Sequence, residues 1–420
     1  MNTKRFGFAG ILAAFALAVS TLVAPSANAA TEIVVWADES RGPNLAKVIA
    51  AKGDWVTGYT VKVVSFSSFD ALKEALDKAT DASGPDIVVG ANDWVPTAAK
   101  SGKLAPITLT AAVKARFNPT QFLDLTYKGK LYGVPVDINN VAMIYNTKLV
   151  SSAPKNFGEM VSTYKSLKAS KGLKAGLCIA GGGMSWGGLS GFSALGAEPY
   201  LMNADGTVNY NKSFDPAVFA KNVSTLLLDK KGKSNGFWPA TDTGCQDNFL
   251  AGKVPFAIIG NWHWRTFAEA GFDMNIQPVP GVKPGTYGKM FGSVSGAFLT
   301  SYAEAHGVAV PAKSLLTSFF ASTKGQVAYQ AEEGRPPAEK GAQKSQLVLG
   351  GQKAMGAAAS LSSIPQIGAF LNTNAGGANY WDSAPAYWNA VLVDGKNPLT
   401  EAKKLAAIWK ANVAAGKADL

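Results

Sequence analysis

Asp93 and Asp137 are the acids with the setting that a reactive pair would need: Asp93 follows the predicted strand 86–89, and Asp137 opens the polar tetrad Asp137-Ile138-Asn139-Asn140 between two apolar stretches. Two carboxyl groups across a bound sugar are the requirement for glycoside hydrolysis, but neither acid lies in a recognisable acid/base motif. Other chemistries lack their residues. The two histidines, His263 and His306, are far apart and without metal spacing, and Cys178 with Cys245 cannot form a zinc site by themselves. The glycine-rich run 181–188 is neither a phosphate loop nor a dinucleotide fingerprint. No cofactor and no metal are expected. These residues suit holding a ligand better than transforming one, and a secreted glycosidase-like enzyme using cleft carboxylates is the alternative.

The elements that position these residues follow from hydrophobic periodicity. Val134, Val136 and Ile138 alternate as in a half-buried strand, and residues 141–145 form an unbroken apolar run. The tetrad between them is expected to cross between two lobes and to present Asp137 and Asn139 to a cleft. Residues 32–36, 61–66 and 86–89 read as strands alternating with helices over 43–52 and 69–80, the latter boxed by Ser67 and Asp70. Such an alternation predicts an α/β fold with a mostly parallel sheet. Ligands bind such sheets outside the carboxyl ends of the strands, where Asp38, Glu39, Arg41, Asp93 and Trp94 fall.

With 420 residues, 47% hydrophobic and 16% charged, the chain is long enough for two domains with sizeable cores. Its net charge of +11 comes from scattered lysines, the densest group being Lys230, Lys231 and Lys233, so nucleic acid is not an expected partner. Lys4 and Arg5, an apolar run over 6–23 and Ala27-Asn28-Ala29 read as a secretory signal over 1–29. The mature protein is then expected in the periplasm or cell envelope, without a lipid-modified cysteine. In that oxidising setting Cys178 and Cys245 are expected to form one disulfide, two buried free thiols being the alternative.

Several stretches, in order, resemble the extracellular sugar-binding proteins typified by maltose-binding protein: Val35-Trp36 with Gly42, Gly84-Pro85-Asp86-Ile87 leading to Ala91-Asn92-Asp93, Gly133-Val134-Pro135 with Ile144-Tyr145-Asn146, Gly260-Asn261-Trp262-His263-Trp264, Arg335-Pro336-Pro337 and Ile364-Pro365-Gln366. The resemblance implies a periplasmic-binding-protein fold: two lobes, a ligand cleft between them, a multi-strand hinge and delivery of a sugar to the permease of an ABC importer. Lobe 1 would comprise 30–138 and 295–338, lobe 2 139–294 and 339–420, and the protein would be a monomer. Arg41 and Asp93 fit the family's basic and acidic positions, and Trp262 matches its stacking tryptophan. By position Trp186 resembles the aromatic cluster. Trp94 replaces an arginine and Asn139 a glutamate, which points to a neutral oligosaccharide of maltooligosaccharide type held with fewer carboxylates. Leu371 occupies a stacking tryptophan's place, so Tyr380 or Trp381 is expected to restore that aromatic.

Secretion and a single pair of thiols generate the first test. Mass spectrometry of unreduced protein should find the Cys178 and Cys245 peptides linked, and two free thiols in exported protein would remove the bridge.

Overall fold

A computed structural model describes residues 31–52, 55–239, 244–273, 275–347 and 350–419. The expected signal segment 1–29 lies outside them. No helix among the described residues is long and apolar enough to cross a membrane.

The β-branched runs assemble into two sheets. A five-stranded sheet has the order Tyr59–Ser65, Thr31–Ala37, Ile87–Ala91, Ser293–Leu299, Gly133–Asn139. The first three strands are parallel, and Ser293–Leu299 runs antiparallel to both its neighbours, so it alone opposes the sheet's direction. Strand alternation sends Ile87 and Val89 to one face and Val88 to the other, and both faces are covered. Ile33, Val35, Val134 and Val136 join Phe319 and Phe320 on the first, while Leu72, Leu76, Trp94 and Phe298 close over Val88 on the second. The strand Gly133–Asn139 is therefore buried on both faces as far as Asp137, where alternation had predicted half-burial.

A three-stranded sheet follows, ordered Val141–Tyr145, Phe256–Gly260, Leu177–Ile179. Its core draws on residues between 141 and 291 and again between 355 and 413. Cys178 and Cys245, both in that core, are joined as a disulfide with their Cα atoms 5.1 Å apart. The C-terminal helix Pro398–Gly416 begins at Asn397, whose side chain accepts the N–H groups of Leu399 and Thr400, each at 3.0 Å. Its buried stripe is Ala402, Leu405, Trp409, Asn412 and Val413, and Leu399 is exposed. The helix Phe69–Lys78 is capped by Ser68, one residue later than the box read from Ser67.

The two sheets are tied by short passages. Asp137 and Asn139 belong to the strand, and only Asn140 separates it from Val141–Tyr145. Fully buried, Asn140 donates from Nδ2 to the carbonyls of Val141 and Met355. Gly292 makes a second passage between Met290–Phe291 and Ser293–Leu299, its N–H bonded to the Ile364 carbonyl at 2.9 Å.

His306 fastens the opposite end of the larger sheet. Its Nδ1 lies 2.7 Å from Asp86 Oδ1 and its Nε2 2.6 Å from the Asp81 carbonyl oxygen, while the other Asp86 oxygen accepts the Val34 N–H. Two acceptors facing both ring nitrogens favour the imidazolium, and the bond to Asp86 in particular raises the imidazole above its ordinary value. A raised folded-state value contributes stability that is fully present below about pH 6.5 and is lost as pH rises through the folded value. Urea unfolding should accordingly show His306→Gln less stable than wild type at acidic pH, with the gap narrowing in alkaline buffer; a gap that widens with pH would contradict the ion pair.

Candidate ligand-binding site

The strand ends of the larger sheet gather charge. After Thr31–Ala37 the chain turns at Asp38, whose Oδ1 accepts the N–H groups of Ser40 at 3.0 Å and Arg41 at 2.8 Å and so starts the helix Arg41–Lys52. Its Oδ2 pairs with Arg41 Nη1 at 2.5 Å. Arg41 also donates from Nη2 to Ser295 Oγ at 2.5 Å and lies 3.5 Å from both Asp137 Oδ2 and Asn139 Oδ1. Burial would push the Asp38 carboxyl up, but the guanidinium groups of Arg41 and Arg335 outweigh it and hold the group well below the usual carboxylate range. Likewise burial acts against the charge on Arg41, and Asp38 with Asp137 more than restores it.

Arg335 is the second buried guanidinium. It pairs with Glu333 Oε1 at 2.6 Å and donates to Ser40 Oγ at 3.1 Å, and its Cζ sits 5.8 Å from the Trp262 ring centroid. The larger sheet's charge cluster is thereby placed against an aromatic of the smaller sheet. Burial pushes Glu333 up, opposed by Arg335 and Arg41.

The smaller sheet supplies the rings. Phe256–Gly260 ends at Asn261, and Trp262 folds back over Gly260 so closely that a Cβ there would lie 2.5 Å from the indole. Trp186 follows Leu177–Ile179 and lies back over Gly182 in the same way. Both indoles are half-buried, with centroids 5.6 Å apart and planes inclined by 40°. Trp186 Nε1 donates to Gln366 Oε1 at 2.7 Å. Trp381, also half-buried, donates to Asn372 Oδ1 at 2.7 Å, and Asn372 reaches the Asp93 carbonyl at 3.2 Å. Asp93 is half-buried as a residue, but its carboxyl is sufficiently removed from water for burial to push it up to about 6.

The structure thus brings Arg41 to Asn139, Trp186 to Trp262, and Trp381 to Asp93 through Asn372, whereas the other expected site residues lie in the core, beneath the charge cluster or in an exposed turn. Trp94 is a core residue, 6% exposed, packed on Phe69 and laid over Gly90. Tyr380 is 1% exposed among Phe291 and Trp409, its hydroxyl donating to the Ser185 carbonyl at 2.8 Å. Successive helix residues point about 100° apart, so turning Tyr380 into the core turns Trp381 out of it. Asp137 is fully buried against Arg41 and supports the cluster from beneath instead of presenting a carboxylate to a cleft. Glu39 stands exposed in the turn before the helix.

Motif reading passed over Gln366, Arg335, Glu333 and Ser295 as contacts, although Ile364-Pro365-Gln366 and Arg335-Pro336-Pro337 stand out in the sequence. It also passed over Gly183-Met184-Ser185-Trp186-Gly187, which spells a nucleophile elbow. Those residues form a short helix, and neither histidine hydrogen-bonds to Ser185. Among the described residues no group of three or more His, Cys, Asp or Glu could hold a metal ion.

A family model for bacterial extracellular solute-binding proteins matches residues 45–354. The chain is 27% identical to a maltotriose-binding protein of Pyrococcus abyssi, an alignment that takes in 59% of this chain and about half, 53%, of that protein. It is 24% identical to the maltodextrin-binding protein MdxE of Bacillus subtilis over 67% of this chain and 69% of the relative. A maltooligosaccharide ABC transporter solute-binding lipoprotein of Streptococcus pneumoniae serotype 4 is 25% identical, with 70% and 72% covered. Since the family match takes in well over half of a chain whose rings and charges gather between two sheets, the chain belongs to the bacterial extracellular solute-binding proteins.

Proposed function

We propose that this protein captures a neutral oligosaccharide of the maltooligosaccharide class outside the cytoplasm and delivers it, as a monomer, to the permease of an ABC importer. Residues 30–138 with 295–338 make one lobe and 139–294 with 339–420 the other, and closure about the passages at Asn140 and Gly292 traps the ligand. The observation that carries the ligand class is the pair of half-buried indoles, Trp186 and Trp262, 5.6 Å apart beside a charge cluster that is neutralised from within. An indole face covers the axial C–H groups of a pyranose and leaves its hydroxyls free to hydrogen-bond. Each ring that covers about 100 Å² contributes roughly 2 to 3 kcal/mol. The relatives named for maltotriose, maltodextrin and maltooligosaccharide support the same class. The protein is a binding protein and not an enzyme, and Asp137, paired with Arg41, is withdrawn from acid/base work.

Calorimetry with maltotriose tests the platform directly. Removing the ring in Trp262→Ala should weaken binding roughly 30- to 150-fold with little change in melting temperature; unchanged affinity with a large loss of stability would make Trp262 a core residue. Gly260→Ala probes the same ring from behind, since the new methyl displaces the indole that lies 2.5 Å away. Its affinity should fall about tenfold or more while the circular dichroism spectrum stays native, and wild-type binding by this variant would mean that the ring's seat on Gly260 does not matter.

A further inference from the structure

Gln366 is 5% exposed and stands where the two cores meet, between the short strand Ser363–Ile364 and the helix Gly368–Leu371. Its carbonyl oxygen accepts Asn92 Nδ2 at 2.9 Å. Its side-chain Oε1 accepts the Trp186 indole N–H at 2.7 Å. The same side chain lies near enough to the Asp93 carboxyl to counter part of its upward shift, and its backbone N–H acts in the same sense on Asp124. Asn92, Asp93 and Asp124 flank the core of the larger sheet, whereas Trp186 and the neighbouring Ile367 pack into that of the smaller one. One residue therefore joins a ring of one unit to an amide of the other and lies beside two of that unit's carboxyl groups.

The chemistry at this position is specific. Trp186 offers only a donor and so needs an acceptor, while Asp93 is served by a donor. A primary amide carries both on one end. A carboxylate could take the indole N–H but would face Asp93 and Asp124 with a like charge, and an alkyl side chain could serve neither.

We propose that Gln366 is a positioning residue that clasps the two units together and holds the Trp186 indole at its angle, so that it sets the lifetime of the closed complex and not the rate of first capture. The proposal rests on the sugar-binding reading above, but the clasp is made wholly between protein groups and can be judged without a sugar. Asp124 beside it is buried, and burial and then the Asp93 charge push its carboxyl up, so the contact lies away from bulk water and its hydrogen bonds are not readily replaced by it.

Small-angle scattering on sugar-free protein and stopped-flow binding of maltotriose together test it. Gln366→Ala should give a larger radius of gyration than wild type without sugar. With maltotriose its association rate should stay within about twofold and its dissociation should quicken about tenfold, the effect expected from losing one or two net hydrogen bonds. Gln366→Glu should release the sugar faster still. Unchanged compactness together with unchanged dissociation in Gln366→Ala would overturn the clasp, as would a loss confined to the association rate. Should the alanine variant fail to fold, Gln366→Leu, which preserves bulk, is read by the same two measurements. Failure of wild type to bind any maltooligosaccharide would instead defeat the ligand reading and leave the scattering comparison to decide the clasp.

Discussion

A buried guanidinium must be surrounded, and most of the larger sheet's geometry follows from surrounding that of Arg41. Its partners come from three separate stretches: Asp38 at the end of the first strand, Asp137 and Asn139 on the strand that leads to the other sheet, and Ser295 on the strand that returns. Removing one partner from a buried pair typically costs roughly 3 to 5 kcal/mol, because the other is left charged and unpaired. The three stretches are thus held at a common level at one end of the sheet. The pairing of Ser293–Leu299 with Gly133–Asn139 slips between Ser295 and Gly296, and the slip leaves Ser295 opposite Asp137, within reach of Arg41. Two of these stretches, Gly133–Asn139 and Ser293–Leu299, adjoin the passages between the sheets, so the charge cluster lies next to both passages.

Aromatic placement obeys a second constraint, the space above a glycine. Trp94 lies over Gly90, Trp186 over Gly182 and Trp262 over Gly260, each so close that a methyl group would collide with the ring. In every case the backbone supplies one flat wall and the indole is held against it. What differs is the other side of the ring. Leu72, Leu76 and Phe69 close over Trp94, while Trp186 and Trp262 keep part of their surface accessible.

That difference explains what the sequence could and could not disclose. Alternation and apolar runs located the strands, because these signals act within a few residues. Asp38, Arg41 and Asp93 were singled out because strand ends collect ligand-facing groups in α/β sheets, and Trp186 and Trp262 through the resemblance to the sugar-binding proteins. Trp94 was placed in the cleft because a tryptophan beside a strand end reads alike whether or not a distant helix covers it, and Tyr380 because it lies close to Leu371, which stands where the family has a stacking tryptophan. The cover for Tyr380 is Trp409, far along the chain, and no local pattern announces it. Arg335 and Gln366 escaped for the converse reason: each stands out in a short proline-containing motif, but its partners, Trp262 in one case and Trp186 with Asn92 in the other, are set by tertiary packing.

The balance of charge at the site bears on the kind of ligand it can hold. Two guanidinium groups are matched by Asp38, Asp137 and Glu333, while the net charge of +11 resides on solvated side chains such as Lys230, Lys231 and Lys233, all exposed. An anionic ligand would have to displace carboxylates that are already in place and buried, and a cationic one would meet two arginines. A neutral, hydroxyl-rich molecule requires neither exchange, because hydroxyl groups can both donate to fixed carboxylates and accept from fixed N–H groups. Asp93 adds to this balance, because burial pushes its carboxyl up to about 6. In the proposed reading, stacking on the indoles would supply binding free energy that does not depend on salt and would not draw on the positive charge that the rest of the surface carries.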